Sequence, residues 1–129
     1  MKEILTVLVS IVLVCTGAVI SQNYLNKTSD ELVGEIENLR AEIQKAKLDE
    51  NNTSIKLSED IYDKWKNIEK KWSLIVIHTE LDQIELSLIG MNADIKEKEY
   101  EKAMEELEKS VFLLQHIKEK ERLALKNVL

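Results

Sequence analysis

The first 27 residues differ sharply from the rest of the chain in their pattern of apolar and polar positions. Residues 4–20 read ILTVLVSIVLVCTGAVI, without a charge, a proline or an amide. A helix over residues 4–24 would be about 30 Å long at about 1.5 Å per residue, enough to cross the hydrocarbon core of a bilayer. The pattern therefore predicts a transmembrane anchor within residues 1–27, with these positions in the span: Ile4, Leu8, Ile11, Val14 and Ile20.

A cleaved signal peptide is the alternative interpretation of this segment. Signal peptides usually have a basic start, an apolar region of roughly 7–15 residues and a small-residue cleavage site. Here the chain starts Met-Lys-Glu, the apolar stretch is longer, and no Ala-x-Ala follows it, although Ser21 would be tolerated before a cleavage site. We therefore expect a retained anchor, and a cleaved, secreted helical bundle is the less favoured reading.

The charges that flank the span bear on its orientation. Lys2 and the amino terminus precede it, and Lys27 and Arg40 follow it, so the positive-inside comparison is nearly even. The leading tail is short, and four acidic residues follow between positions 30 and 37. We expect the amino terminus in the cytoplasm and residues 28–129 outside it, as an extracytoplasmic helical domain of the cell membrane.

A seven-residue apolar repeat begins just after the span. Thr28 and Glu31 fit a capping box, so we predict a helix over about residues 29–48. Its apolar positions recur at steps of four and three, a spacing typical of a helix that packs on a partner helix. We take this stripe as a candidate interaction surface, and it consists of Leu32, Ile36, Leu39 and Ile43.

The longest periodic segment runs over residues 55–92, after a polar stretch at residues 49–54 that predicts a loop. Its first half carries Ile61, Trp65, Ile68, Trp72 and Ile75 at steps of four and three. A second apolar stripe, from Leu74 to Met91, lies roughly on the opposite face of such a helix. The segment therefore predicts one middle helix that meets a different neighbour with each half, and residues 74–77 buried from both sides.

A last helix follows a tight connection. Gly90, Asn92 and Asp94 predict this connection within residues 90–98, and apolar positions at helical spacing predict a helix over residues 96–127. The predicted fold class is all-α, with a single N-terminal transmembrane helix followed by an antiparallel three-helix bundle or coiled-coil-like hairpin.

The composition agrees with long helices and excludes some partners. The chain is 33% charged, has no proline and three glycines, and is 5% aromatic. Such a sequence has few signals for turns or strands. The net charge of −6 comes from acids and bases mixed along the same segments, so we expect no nucleic-acid binding. Cys15 is the only cysteine, so no disulfide forms within the chain.

The polar residues do not indicate an enzyme. His78 and Asp82 share a helix face, and Glu119 follows His116 by three positions, but the Glu-x-x-His motif of dimetal bundles is absent. No glycine elbow or phosphate loop is present either. We therefore predict no catalytic residue, no metal ligand and no cofactor, and we expect the histidines to make solvated surface contacts.

Trp65 and Trp72 allow two interpretations. Tryptophan is enriched at binding hot spots, so the pair could form an aromatic platform for a ligand, an envelope fragment or a protein partner. Their alternation with isoleucine in the repeat instead favours the core of the bundle, with part of each ring exposed.

Three further stretches carry a family resemblance. They are LIVIHTELDQI at residues 74–84, EYEKA at residues 99–103 and LKNVL at residues 125–129. With the short span and the tryptophan pair, this layout resembles a family of uncharacterised short membrane proteins of clostridia and related Gram-positive bacteria, classed as a domain of unknown function. The resemblance implies a membrane-anchored helical domain without a recognised activity, and an accessory role beside multi-pass membrane proteins. It supplies no catalytic residue.

These features together predict a non-enzymatic, membrane-anchored interaction protein. We expect an accessory or scaffolding subunit of a bacterial membrane complex, which contacts the lipid bilayer and docks on a protein partner or on a second copy of itself. The candidate interaction surface combines the stripe at residues 32–43 with Trp65 and Trp72. The alternative is an extracytoplasmic ligand- or envelope-binding module with a pocket between these two tryptophans and the last helix.

Overall fold

The computed structural model describes residues 1–46 and 53–128, which form four α-helices. The all-α class is confirmed, because a long apolar first helix is followed by helices that pack together. In the described part of the chain no residue is in a strand. The helices are α1 (Lys2–Ala46), α2 (Thr53–Trp72), α3 (His78–Lys96) and α4 (Tyr100–Val128).

The second half of α1 forms an antiparallel four-helix bundle with α2, α3 and α4. Helices α1 and α3 each pack on α2 and on α4, so every helix has two neighbours. An ion pair links each neighbouring pair of helices, and consecutive helices run in opposite directions, as in an up-down-up-down bundle. These ion pairs are Lys64–Glu35, Lys66–Glu85, Lys120–Glu80 and Lys118–Asp30.

One apolar stripe from each helix forms the core. Burying a large aliphatic or aromatic side chain contributes about 1.5–3 kcal/mol, so this core is the main source of stability. The stripe of α4 contains the smallest buried apolar side chain of the core, Ala103. The largest fully buried side chains are Leu25, Leu32, Ile36, Leu39, Ile43, Ile61, Trp65, Trp72, Leu81, Ile84, Leu88 and Met91.

The predicted middle helix over residues 55–92 is two helices in the structure. Helix α2 ends at Trp72, and residues 73–77 form a turn, the α2–α3 turn, before α3 begins at His78. A straight helix would point its two apolar stripes in opposite directions, whereas a chain reversal lets both face one core. The turn contains no glycine or proline. Its β-branched run Ile75-Val76-Ile77 is weakly helix-forming, and Val76 is buried at the end of the core.

The first helix passes without a break through the predicted boundary at residues 27–28. Thr28 does not cap a new helix, because its hydroxyl donates a hydrogen bond to the Tyr24 carbonyl one turn earlier, at 2.8 Å. Leu25 and Leu32 are both buried, so tertiary packing supports α1 on either side of that boundary. With 45 residues, α1 is about 67 Å long at about 1.5 Å per residue.

The connection between α3 and α4 lies later than the turn chemistry predicted. Gly90, Asn92 and Asp94 remain inside α3, and the chain turns at residues 97–99. Of the predicted loop at residues 49–54, positions 49–52 lie outside the described residues, and the last two positions already belong to α2.

The apolar half of α1 projects from one end of the bundle. We call this end the near end, and it comprises residues 22–28, residues 72–78 and residues 117–125. The projecting helix is long and apolar enough to cross a membrane, and none of its most apolar stretch is buried in the bundle. All five predicted span positions are exposed: Ile4, Leu8, Ile11, Val14 and Ile20.

Candidate functional site

The predicted interaction stripe lies inside the bundle. Leu32, Ile36, Leu39 and Ile43 are each 0% exposed, because α2 and α4 of the same chain cover this face of α1. The seven-residue repeat therefore correctly identified a face that packs on helices, but the helices belong to its own chain. A docking surface has to be sought elsewhere on the molecule.

The two tryptophans contact each other inside the bundle. Trp65 lies in the second half of α2, and Trp72 is its last residue, at the near end. Their ring centroids are 5.6 Å apart, with the planes at 86°, which is the edge-to-face arrangement that aromatic rings favour. Both side chains are 0% exposed, so the partial exposure that the repeat suggested is not observed. The rings fill the core rather than line a surface platform.

A buried hydrogen bond ties the near end of α2 to α1. The Trp72 indole N–H donates a hydrogen bond to the Thr28 hydroxyl at 2.8 Å, and that hydroxyl in turn donates one to the Tyr24 carbonyl. The Trp65 indole N–H, by contrast, has no acceptor among the described residues. Trp72 therefore has a positional role at the near end that Trp65 does not share.

The near end also exposes large apolar side chains. Leu74 is 87% exposed and Ile77 is 58% exposed, both in the α2–α3 turn, and Leu123 of α4 is 48% exposed. The sequence pattern predicted residues 74–77 to be buried from both sides, and the reversal of the chain instead leaves only Val76 buried. The shift of the apolar stripe at these residues was the sequence signal for this turn, because a stripe can change face at a turn between two helices as well as along one helix.

A groove of about 340 Å³ runs between the projecting helix, the α2–α3 turn and the end of α4. Burial raises the pKa of the Glu121 carboxyl in this groove; Lys120 opposes that shift and Glu80 adds to it. The groove is lined by Ala18, Ser21, Gln22, Leu74, Ile75, Glu121, Ala124 and Leu125. It therefore places the turn and the end of α4 beside the last apolar turns of the projecting helix.

Basic and aromatic side chains surround the near end. The Lys71 ammonium lies 5.5 Å from the centroid of the Tyr24 ring, a cation–π arrangement. Lys27 and Lys70 are exposed at about the same level of the bundle. Tyrosine and lysine in such a position are typical of the boundary between lipid and water.

The side of the bundle carries a second group of exposed apolar residues. Leu86 and Ile89 lie on α3 and are 66% and 46% exposed, and Phe112 on α4 is 65% exposed. The Phe112 ring stacks on the His116 ring with centroids 5.9 Å apart. We call these three apolar residues the lateral surface. Sequence reasoning missed them because they fall outside the apolar stripes of α3 and α4.

The histidines are the metal-ligand candidates that the sequence offers. Among the residues that the structure describes, no three histidine, cysteine, aspartate or glutamate side chains come close enough to hold a metal ion. His78 and His116 are both exposed. On the described surface, large apolar side chains are exposed at the near end and on the side of the bundle.

Comparisons with known proteins place the bundle in a family. The model of a family described as a domain of unknown function (DUF4363) matches residues 19–128, which covers the bundle and the last residues of the apolar segment. No curated protein and no solved structure matches the chain.

Proposed function

The chain belongs to the DUF4363 family, whose function is unknown, and we propose that it is a non-enzymatic docking protein anchored in a membrane by its first helix. In this proposal the apolar half of α1 spans the bilayer once. The bundle stands on one side of the membrane and binds a protein partner there, as an accessory or scaffolding subunit of a membrane complex.

The continuity of α1 carries this proposal. The same helix contains the exposed apolar segment and one quarter of the bundle, without an irregular residue from Lys2 to Ala46. A span joined to its domain by a flexible linker leaves the domain free to rotate. A continuous helix instead couples the height and rotation of the bundle to the span, which suits a protein that presents one side to a neighbour in the same membrane.

The lateral surface supports a protein partner. Leu86, Ile89 and Phe112 are large apolar side chains exposed outside the core, and most of the remaining exposed positions of both helices are polar or charged. Apolar and aromatic residues of this kind, surrounded by polar ones, are typical of protein interfaces. The partner in this proposal is another membrane protein or a second copy of the chain.

Extraction of membranes at alkaline pH tests the anchor. We expect the full-length protein to stay with the lipid after carbonate treatment, because a stretch of 17 uncharged and mostly apolar residues, 4–20, is available to the hydrocarbon core. Replacing Leu8 and Val12 together with lysine should release it, whereas lysine at the exposed bundle positions Asn67 and Gln115 should not. A mature protein that begins near Gln22 and is found in solution would contradict the anchor.

Labelling of single cysteines tests the orientation, for which we propose a cytoplasmic amino terminus and an extracytoplasmic bundle. In a Cys15→Ser background, an Asn67→Cys variant should react with a membrane-impermeant maleimide added to intact cells. Labelling only after the cells are lysed would reverse the orientation.

Photo-cross-linking in native membranes tests the docking surface. A photoreactive amino acid at Leu86 or Phe112 should produce cross-linked products, and the same probe at Asp63 of α2 or Asn38 of α1, which are exposed on other helices, should produce fewer. Monomer alone at all four positions would count against a docking role.

The tryptophan-based ligand module is the weaker alternative. The burial of both rings weighs against it, since a ligand would first have to open the core. Tryptophan emission should therefore be blue-shifted and should not respond to cell-envelope extracts. A shift that saturates with added extract would favour the ligand module instead.

A further inference from the structure

The α2–α3 turn places apolar side chains where a soluble turn would carry polar ones. Among the described residues outside the apolar half of α1, Leu74 is the most exposed large apolar residue, and Ile77 follows Leu86 and Phe112 of the lateral surface. Turns usually carry glycine, asparagine, aspartate, serine or proline, and apart from Ser73 this turn has only Leu-Ile-Val-Ile. Aliphatic side chains exposed in this way are better suited to contact with an apolar surface than to contact with water.

The position of this turn along the axis of α1 indicates which apolar surface it meets. The groove at the near end brings Leu74 and Ile75 beside Ala18, Ser21 and Gln22 of the projecting helix. The uncharged stretch from Ile4 to Ile20, which is apolar apart from Thr6, Ser10 and Thr16, has 17 residues and is about 25 Å long, whereas a hydrocarbon core is about 30 Å thick. A span that starts at Ile4 therefore reaches to about Asn23, beyond the level at which the turn lies.

The neighbouring side chains match the edge of a bilayer. Leu123 is exposed, and Leu125 lines the same groove together with Glu121, so the end of α4 adds two aliphatic side chains and one carboxyl at this level. One turn further into the bundle come Tyr24 with Lys71 above its ring, and Lys27 on the outer side of α1. Aliphatic groups towards the span and tyrosine and lysine behind them repeat the order of acyl chains and headgroups.

We infer that the α2–α3 turn is a second membrane contact, in which Leu74 and Ile77 insert into the interfacial layer of the bilayer that α1 spans. This inference rests on the proposed anchoring by α1. The turn and the end of α4 supply the apolar surface that the short span lacks on the bundle side. The bundle is thereby seated on the lipid surface, and contacts beside the span limit its tilt.

Depth-dependent quenching tests the contact with the full-length chain in vesicles of phosphatidylcholine and phosphatidylglycerol. In a Cys15→Ser background, an environment-sensitive fluorophore is attached to Leu74→Cys, to Val12→Cys in the span, or to Lys56→Cys, which is exposed on α2 at the opposite end of the bundle. We expect the Leu74 label to be blue-shifted and to lose intensity with lipids that carry a spin label near the headgroup. The Lys56 label should show neither change.

The Val12 label separates failure of this inference from failure of the anchor. Quenching at Val12 by deep spin labels with no quenching at Leu74 would overturn the second contact and leave the span intact. Absence of quenching at Val12 would contradict the proposal that α1 spans the membrane. Disulfide-linked dimers of the unlabelled Leu74→Cys protein, formed under an added oxidant, together with no lipid quenching of the labelled protein, would assign the turn to a second copy of the chain and would also overturn the inference. Leu74 is exposed, so its replacement is not expected to disturb the core, and circular dichroism checks this.

Discussion

At the scale of single residues, Lys98 occupies a position that normally favours glycine. Its φ is +58°, and the Lys98 and Glu99 amides donate to the Ile95 and Asp94 carbonyls. This is the Schellman pattern that ends a helix with one left-handed residue. A lysine there strains its Cβ against the backbone, so the end of α3 is less stable than it could be.

Lys98→Gly is therefore expected to increase the free energy of unfolding by about 1 kcal/mol, because glycine reaches positive φ without the side-chain penalty. Chemical denaturation of the full-length protein in detergent measures this change. The matched control is Lys109→Gly inside α4, which should decrease it by about 1 kcal/mol. Destabilisation by both substitutions would show that the Lys98 backbone is not strained.

The Trp72–Thr28 hydrogen bond is the other residue-scale feature. Thr28→Val keeps the shape of the side chain and removes the acceptor, so the buried indole N–H is left unpaired. We expect the free energy of unfolding to fall by about 1–3 kcal/mol. Thr28→Ser, which retains the hydroxyl, should cost less, and with Trp72→Phe as background the effect of Thr28→Val should shrink. Equal effects in both backgrounds would contradict a direct coupling.

At the scale of helices, periodicity in the sequence identified faces that pack on other helices, although the stripe at residues 32–43 was predicted to be an interaction surface and residues 74–77 were predicted to be buried. The stripes at residues 32–43 and 61–72 are buried as a helical repeat requires. The ends of the helices were harder to locate, because Gly90, Asn92 and Asp94 are common in turns and yet lie inside α3. Packing against α4 outweighs their weak local preferences, which differ from those of better helix formers by less than about 1 kcal/mol each.

The helix glycines provide a prediction at this scale. A Cβ built on Gly34 meets nothing within 4 Å, so Gly34→Ala should stabilise the protein by about 1 kcal/mol through the conformational entropy of the unfolded chain. A Cβ on Gly90 meets the Glu106 side chain at 3.4 Å. Gly90→Ala should therefore give a smaller gain. Thermal unfolding of the two variants compares them, and a larger gain at Gly90 would contradict this packing.

At the scale of the whole molecule, the partial burial of a carboxyl at the near end makes the free energy of unfolding depend on pH. Glu121 lies in the groove beside the projecting helix, where burial raises the pKa of its carboxyl. Folding therefore favours the protonated form of Glu121. Its contribution to stability is most favourable below the ordinary glutamate pKa and is lost as the pH rises through the higher folded-state value.

Glu121→Gln is accordingly expected to stabilise the protein at neutral pH, with a gain that fades below the ordinary pKa of glutamate. Denaturation at several pH values measures the difference from the unchanged protein. Glu119→Gln is the matched control, because pairing with Arg122 lowers the pKa of Glu119. Glu119→Gln removes this pairing and should instead decrease the free energy of unfolding at neutral pH. A gain from Glu121→Gln that is independent of pH would rule out this titration as the cause.

The sequence by itself determined the all-α class, the exposed apolar segment and the core faces of the helices. These follow from local periodicity, because residues three or four apart share a helix face wherever the helix packs. Only the tertiary structure decided which helices cover which stripe, since Trp72 and Thr28 meet across 44 positions of sequence. It also decided that residues 73–77 reverse the chain. A shift of the apolar stripe fits either a helix with two faces or two helices around one core, and packing selects the latter because it buries both stripes together.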